Sequence, residues 1–212
     1  MEREPKIVRV LFNDAMARAI VSGRKTVTRR PVVWYDNSIH AKYDESNAVR
    51  PCTPGDILIG RECWCELRQE HYENSSMPRE SMVHRYGAPR RNGVAYRCET
   101  TPDGDEIRRE YGYKWRPSIH MPDWAARIRR RVVSVTVERL HDISEADAVR
   151  EGFNADEELA RSSGNHVAMW AKSARWRFAQ AWDAIYAAKG LGWDVNPWVW
   201  RIEFACENEP AA

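Results

Sequence analysis

The stretch RRVVSVTVERL, from Arg130 to Leu140, alternates apolar and polar residues with the period of two that a strand requires. Asp142-Ile143-Ser144 follows at once. Ser144 with Asp147 matches the S/T-x-x-D/E capping signature, which predicts a short helix through about Glu151, ended by Gly152. Further on, residues 154–166 are polar. Ala168 to Ala188 then places Trp170, Ala174, Phe178, Trp182 and Ile185 at three- and four-residue steps, a second helix stopped by Gly190 and Gly192. Val195 to Ala205 (VNPWVWRIEFA) reads as the last strand.

Working back from Arg130, residues 66–112 are low in aliphatics and broken by Pro78, Gly87, Pro89, Gly93 and Gly104. They read as an insertion with one or two hairpin strands, one of them around Val94 to Glu99. Pro54-Gly55-Asp56 is a turn into a strand, Ile57 to Gly60. At the start, Ile7 to Phe12 alternates as a strand. Asn13 and Asp14 form a helix cap and first turn, Ala15 to Val21 a short helix, and Gly23 its end. The order β-α-(β, insertion, β)-α-α-β predicts an α+β protein over residues 1–212, its first and last strands pairing in one small barrel or curved sheet.

Composition narrows the function classes. The chain has 212 residues, of which 30% are charged and 43% hydrophobic, and its mean hydropathy is −0.68. No apolar run approaches the roughly 20 residues of a membrane span, so no membrane partner is expected. The N-terminal MEREPKIVRVLF lacks the pattern of a secretory signal. Five cysteines at irregular spacings point to free thiols in a reducing, cytoplasmic setting. No G-x-G-x-x-G, P-loop, H-E-x-x-H or G-x-S-x-G motif occurs, and no cofactor is expected. Cys63 and Cys65, with Cys98 and His120, form a metal site only if folding gathers them; buried thiols are the default.

Charge is segregated beneath a formal total of +2. Residues 1–30 carry eight basic and three acidic side chains, and residues 108–131 carry eight and two. Residues 138–158 reverse this, with two basic and eight acidic. Such blocks either present basic patches to a phosphate-bearing partner or neutralise one another in the fold.

Two constellations carry chemistry. In Gly23-Arg24-Lys25-Thr26-Val27-Thr28-Arg29-Arg30 an extended backbone sets Lys25, Val27 and Arg29 on one face and Thr26, Thr28 and Arg30 on the other. Alternating cations and hydroxyls of this kind present several donors to phosphate or carbonyl oxygens. Lys114 to Ile128 (KWRPSIHMPDWAARI) interleaves Trp115, Arg116, His120 and Trp124 between prolines, a pattern suited to stacking on unpaired bases beside phosphate contacts, or to filling a core. Trp198 and Trp200 share one face of the last strand, where core packing is the simpler reading.

Taken together, LFNDAMARAIVSGRKTVTRR, PGDILIGRECW, KWRPSIHMPDWAARI, RVVSVTVERLHDISEADAVREG and WDVNPWVWRIEF resemble the ASCH domain of the PUA-like superfamily, most nearly a group of phage and prophage proteins. The resemblance runs from Val10 to Phe204. It implies a single domain over 1–212 with an insertion at about 66–112, a small β-barrel flanked by helices, and a cleft beside the GRKT segment in a protein of the bacterial cytoplasm.

PUA-like domains commonly bind RNA or a modified base. The resemblance therefore implies a nucleic acid, nucleoside or nucleotide partner, held by Arg24, Thr26, Arg29, Arg30, Trp64, Trp115, Arg116, His120 and Trp124. Some small ASCH proteins are amidohydrolases that remove the acyl group from N4-acetylcytidine. Their lysine and threonine of the G-x-K-T-x-T segment match Lys25 and Thr28, and their glutamate in the helix after the long strand matches Glu151. Others are described as ribonucleases, for which Glu62, Glu151 and the histidines would supply a metal-assisted cleavage. The chain is longer than the compact amidohydrolases, and its insertion and Trp/Pro loop bear on the cleft. A non-catalytic role against a protein partner is the remaining class.

Overall fold

The computed structural model describes residues 3–36, 43–67, 94–154 and 173–207. Among them the strands are β1 (Ile7–Leu11), β2 (Val27–Pro31), β3 (Val33–Trp34), β4 (Ala48–Val49), β5 (Ile57–Arg61), β6 (Trp64–Glu66), β7 (Val94–Tyr96), β8 (Ile128–Arg139) and β9 (Trp198–Phe204). The α-helices are α1 (Asp14–Val21), α2 (Pro102–Glu110), α3 (Glu145–Arg150) and α4 (Ala174–Tyr186). The architecture is α+β, with a five-stranded sheet in the order β1-β5-β8-β9-β2 and the pairs β3-β4 and β6-β7. The last strand pairs with β2 and β8, not with the first strand as the sequence order implied. Among the described residues β1 and β2 end the sheet and no pairing closes it into a barrel. No helix among them is long and apolar enough to cross a membrane.

Two compact units divide the chain. The first draws on Met1–Val8, Ser22–Ile57 and Arg130–Glu209, the second on Arg9–Val21 and Leu58–Arg129.

In the first unit β9 runs antiparallel to β2 and β8, and its register sorts side chains onto two faces. Thr28 lies opposite Ile202 and Arg30 opposite Trp200, while Arg29 lies opposite Arg201. On the other side Val135, Val137 and Arg139 oppose Ile202, Trp200 and Trp198. Cross-strand partners share a face. One face therefore carries Thr28, Arg30, Trp198, Trp200 and Ile202, and the opposite face Arg29, Val199, Arg201 and Glu203. The alternation in RRVVSVTVERL is not continuous: a register shift between Val132 and Ser134 moves the buried positions from Ile128, Arg130 and Val132 to Val135, leaving Val133 exposed. One extra residue reverses the parity of every residue after it.

Ser144 caps α3, its Oγ accepting from Asp147 N at 3.0 Å, and Ser173 Oγ does the same for Trp176 N in α4. Glu145 accepts from Ala174 N and so ties the two helices together. Ala174, Phe178 and Trp182 of α4 join Leu140, Ile143, Ala148 and Val199 in one core. Val199 places that core on the Arg29 face. Ile185, assigned by its spacing to the same stripe, is 38% exposed, and Trp170 lies outside the described residues. The last strand begins at Trp198, three residues later than read, because residues 193–195 form a 3-10 turn and Asn196 adopts φ 48° before Pro197.

In the second unit Asn13 Oδ1 accepts from Met16 N to start α1, and β6 pairs with β7 through Trp64 opposite Tyr96. Within the stretch read as a polar insertion, residues 102–110 form a helix. Thr101 Oγ1 accepts from Gly104 N; Pro102 opens the helix, Asp103 and Asp105 stand in its first turn, and Arg108 and Arg109 stand in its last. These are start and stop signals rather than an apolar stripe.

Gly60 is required by close approach. A Cβ there would stand 2.7 Å from Ile128 Cγ2, 2.9 Å from Ile128 Cβ and 3.1 Å from Phe12 Cδ2. Gly60→Ala is expected to destabilise the protein by about 1–3 kcal/mol, read as a lowered denaturant midpoint at unchanged slope.

Candidate functional site

Lys25 precedes the edge strand β2, and its side chain is fully buried. Thr26 O accepts from Phe204 N, so alternate residues of β2 turn their backbone polar groups toward β9, and those of Val27 point outward. Lys25 Nζ takes up that outward carbonyl, donating to Val27 O at 2.8 Å. It also donates to Glu151 O at 3.0 Å and to Glu151 Oε2. Glu151 itself is 3% exposed, at the C-cap of α3. Burial lowers the pKa of the Lys25 ammonium, and the Glu151 carboxylate opposes that shift only in part. Three acceptors match the three protons of an ammonium, so Lys25 is the charged donor in this arrangement.

Arg29 is equally enclosed, and its guanidinium reaches three carboxylates: Glu138 at 2.7 Å, Asp147 at 2.7 Å and Glu151 at 3.3 Å. The network continues through Arg201, on Asp147 at 3.1 Å and Glu203 at 3.2 Å, and through Arg150, on Glu203. Lys25, Arg29, Arg150 and Arg201 thus face Glu138, Asp147, Glu151 and Glu203, four cations and four carboxylates. Of the two outcomes open to the charge blocks, these residues take mutual neutralisation. Arg29 has no guanidinium edge left to hold an external anion, the role the sequence assigned to it.

Thr28 lies on the opposite face of β2 from Arg29 and is 0% exposed, and its hydroxyl has no hydrogen-bond partner. The structure therefore brings Lys25 and Glu151 together and leaves the Thr28 hydroxyl unengaged. The remaining residues of the segment are less enclosed: Arg24 is exposed, with Nε on Ser22 Oγ at 3.2 Å. Thr26 Oγ1 accepts from Arg150 Nε at 3.2 Å, and half-buried Arg30 donates to Arg29 O at 3.1 Å.

Trp64, Trp115, Arg116, His120 and Trp124 belong to the second unit. Trp64 is 1% exposed, sealed edge-on by Trp124 and covered by Arg116, whose Cζ stands 5.1 Å from its ring. Its indole is closed to stacking, contrary to the sequence reading. Trp124 is 52% exposed, and Arg116 and His120 are exposed. Trp115 donates to Asp105 at 2.7 Å, carries Arg108 on its ring, and lines a cavity of about 410 Å³ with Phe12, Asp14, Cys63 and Arg97.

No group of three His, Cys, Asp or Glu among the described residues is placed to hold a metal. Cys98 donates to Glu62 Oε2 at 3.0 Å, and burial pushes its thiol up to about 12. Glu62 is engaged by Arg127 at 2.8 Å and lies in the second unit, whereas Glu151 lies in the first.

Sequence reasoning missed Glu138, Asp147, Arg150, Arg201 and Glu203. The four-residue step from Asp147 to Glu151 was the available signal, since it sets both carboxylates on one side of a helical turn. Glu145, two residues before Asp147, points elsewhere and caps α4.

Asp147 provides the pH test of this network. Burial raises its pKa, but hydrogen bonds from Arg201 and Arg29 overrule that and hold it at about 2, against 3.8 when unfolded. A depressed carboxylate contributes stability that is complete above the unfolded value and lost as pH falls toward the folded one. Stability should therefore drop between about pH 4 and pH 2. Asp147→Asn should remove about 2 kcal/mol at neutral pH and flatten that acid limb, measured by urea unfolding across the range.

No protein-family model, curated protein or solved structure matches the chain.

Proposed function

We propose that the chain is a PUA-like protein of the ASCH type that binds a modified nucleoside beside Lys25–Arg30. The observation that carries this reading is the charge balance of Lys25 and Arg29. A phosphate backbone needs surplus positive charge, and here the two central cations of the basic segment are already met by carboxylates of the chain. The buried, unpartnered hydroxyl of Thr28 remains, which suits an uncharged ligand recognised by hydrogen bonds.

A second reading, hydrolysis of an N-acyl group, is favoured by the Lys25–Glu151 pair. The Thr28 oxygen would attack the acyl carbonyl, and its proton would have to reach a neutral lysine amine that alternation sets on the other face of β2 and that does not touch the hydroxyl in this structure. The C–N bond then breaks, the departing amine takes up a proton, and water cleaves the resulting threonine ester to release the acid. Lys25 as an ammonium is no base. Burial lowers its pKa, and the Glu151 oxygen it touches is the acceptor to which it can first give up its proton. The step needs no metal and no redox partner.

The test is incubation of the full chain with N-acylated and unmodified nucleosides and with short RNAs, followed by mass analysis and binding titrations at two salt concentrations. Nucleoside affinity should be nearly independent of salt between about 50 and 200 mM, whereas contacts to a nucleic-acid backbone would weaken by orders of magnitude. Thr28→Val, which leaves the ion-pair network intact, should abolish acyl release. RNA binding with a steep salt slope and no nucleoside binding would overturn the proposal; acyl release surviving Thr28→Val would end the hydrolytic reading alone.

A further inference from the structure

The cavity of about 410 Å³ in the second unit falls within the roughly 300–1,000 Å³ of small-molecule pockets. Every residue lining it belongs to that unit, and neither Lys25 nor Glu151 is among them. Much of its wall is apolar. Trp115 is held in place by its indole N–H, which donates to Asp105 at 2.7 Å, and by Arg108 lying 5.1 Å from its ring. Phe12 is buried beside it, as is Cys63, whose thiol burial keeps protonated and so in the character of a small hydrophobe.

Against these apolar walls stands one pair of opposite charges. Arg97 Nε donates to Asp14 Oδ2 at 2.6 Å, and the two side chains are 50% and 29% exposed. Asp14 Oδ1 is closed to solvent, so the exposed part of that carboxylate is on the side of Oδ2. A carboxylate oxygen accepts more than one hydrogen bond, and Oδ2 has taken one from Arg97. Among the described residues nothing takes up the two Nη groups of Arg97, a fork shaped for a second carboxylate. The pair thus offers an acceptor and a set of donors side by side. A lone anion would be repelled by Asp14 and a lone cation by Arg97, whereas a ligand carrying both charges at short spacing meets each with its opposite. Charged hydrogen bonds are roughly twice as strong as neutral ones, which favours such a ligand over an uncharged amide edge.

We infer that this cavity is a second binding site, for a small zwitterion with an aromatic or bulky apolar body, of which a free aromatic α-amino acid is the simplest. Its carboxylate accepts from the Arg97 Nη groups, its ammonium donates to Asp14 Oδ2, and its side chain lies against Trp115 and Phe12. The inference does not depend on the nucleoside reading, which concerns the other unit.

The experiment titrates L-phenylalanine, N-acetyl-L-phenylalanine, L-phenylalaninamide and L-alanine into the full chain by calorimetry. L-Phenylalanine should bind with a Kd of about 1 mM or tighter. The N-acetyl form lacks the ammonium, the amide lacks the carboxylate and alanine lacks the ring, and each should bind about tenfold or more weakly. Arg97→Gln should remove the preference for L-phenylalanine over its amide, and Asp14→Asn the preference over its N-acetyl form. The comparison of the four compounds on the unaltered chain stands whether or not either variant folds. No saturable binding of L-phenylalanine by about 10 mM would overturn the inference, as would equal binding of the N-acetyl and amide forms, which marks a merely apolar pocket. Either result leaves the nucleoside reading standing.

Discussion

Arg29 is the residue around which the first unit is arranged. A guanidinium withdrawn wholly from water loses several kcal/mol of hydration unless fixed carboxylates replace it, and an arginine stays charged at any pH the protein meets. Its planar fork reaches Glu138 on β8, Asp147 on α3 and Glu151 at the helix's end, so one side chain on an edge strand holds β8 at one point and α3 with its C-cap at two. Such networks are poor evidence of net stability, since desolvation cancels much of the Coulombic gain. They are strong evidence of geometry, because a misplaced helix would leave a charge buried and unpaired. Lys25 sits in its unusual environment as a consequence: the carboxylate that completes Arg29 is the one that receives the lysine.

The same strand separates two kinds of surface. Alternation puts Arg29 among ion pairs and the apolar core of α3 and α4, and puts Thr28 among indoles. The register shift after Val132 keeps this division in step across β8. It brings Val135 and Val137 onto the side of Ile202 and Trp200, and sends Glu138 to the side of Arg29. Without that extra residue Glu138 would face the aromatic side, and Arg29 would lose its nearest carboxylate on the sheet. A local irregularity of the longest strand therefore decides which chemistry appears on which face.

Much of the backbone was legible because its signals are local. The S-x-x-D cap of α3, the glycine after α1 and the alternation of β8 all depend on neighbours within a few residues, and each appears within a few residues of its reading. The helix 102–110 was hidden because its signals are a cap and a charge gradient in a sequence with no apolar stripe. At the site, alternation along GRKTVTRR correctly separated Thr28 from Arg29. What could not be read was pairing at long range. Glu138, Arg201 and Glu203 become neighbours of Arg29 only through antiparallel register, and nothing within their own segments marks them. Trp198 and Trp200 pack with Tyr43, and Trp200 is buried, in keeping with their reading as core; that their indole N–H groups lack partners depends on what faces them across the fold.

Charge balance also sets the terms for any ligand beside Lys25. With four cations matched to four carboxylates, a neutral ring can approach without altering the electrostatic sum that keeps Arg29 paired. A phosphate would add one or two negative charges, drawing Lys25 or Arg29 away from Glu151 and leaving that carboxylate buried and unanswered. The cost of such an unpaired charge exceeds the worth of a typical hydrogen bond. Under the proposed nucleoside reading, preference for an uncharged base over a nucleic-acid backbone at this edge of the sheet would follow from the same constraint that positions the helix.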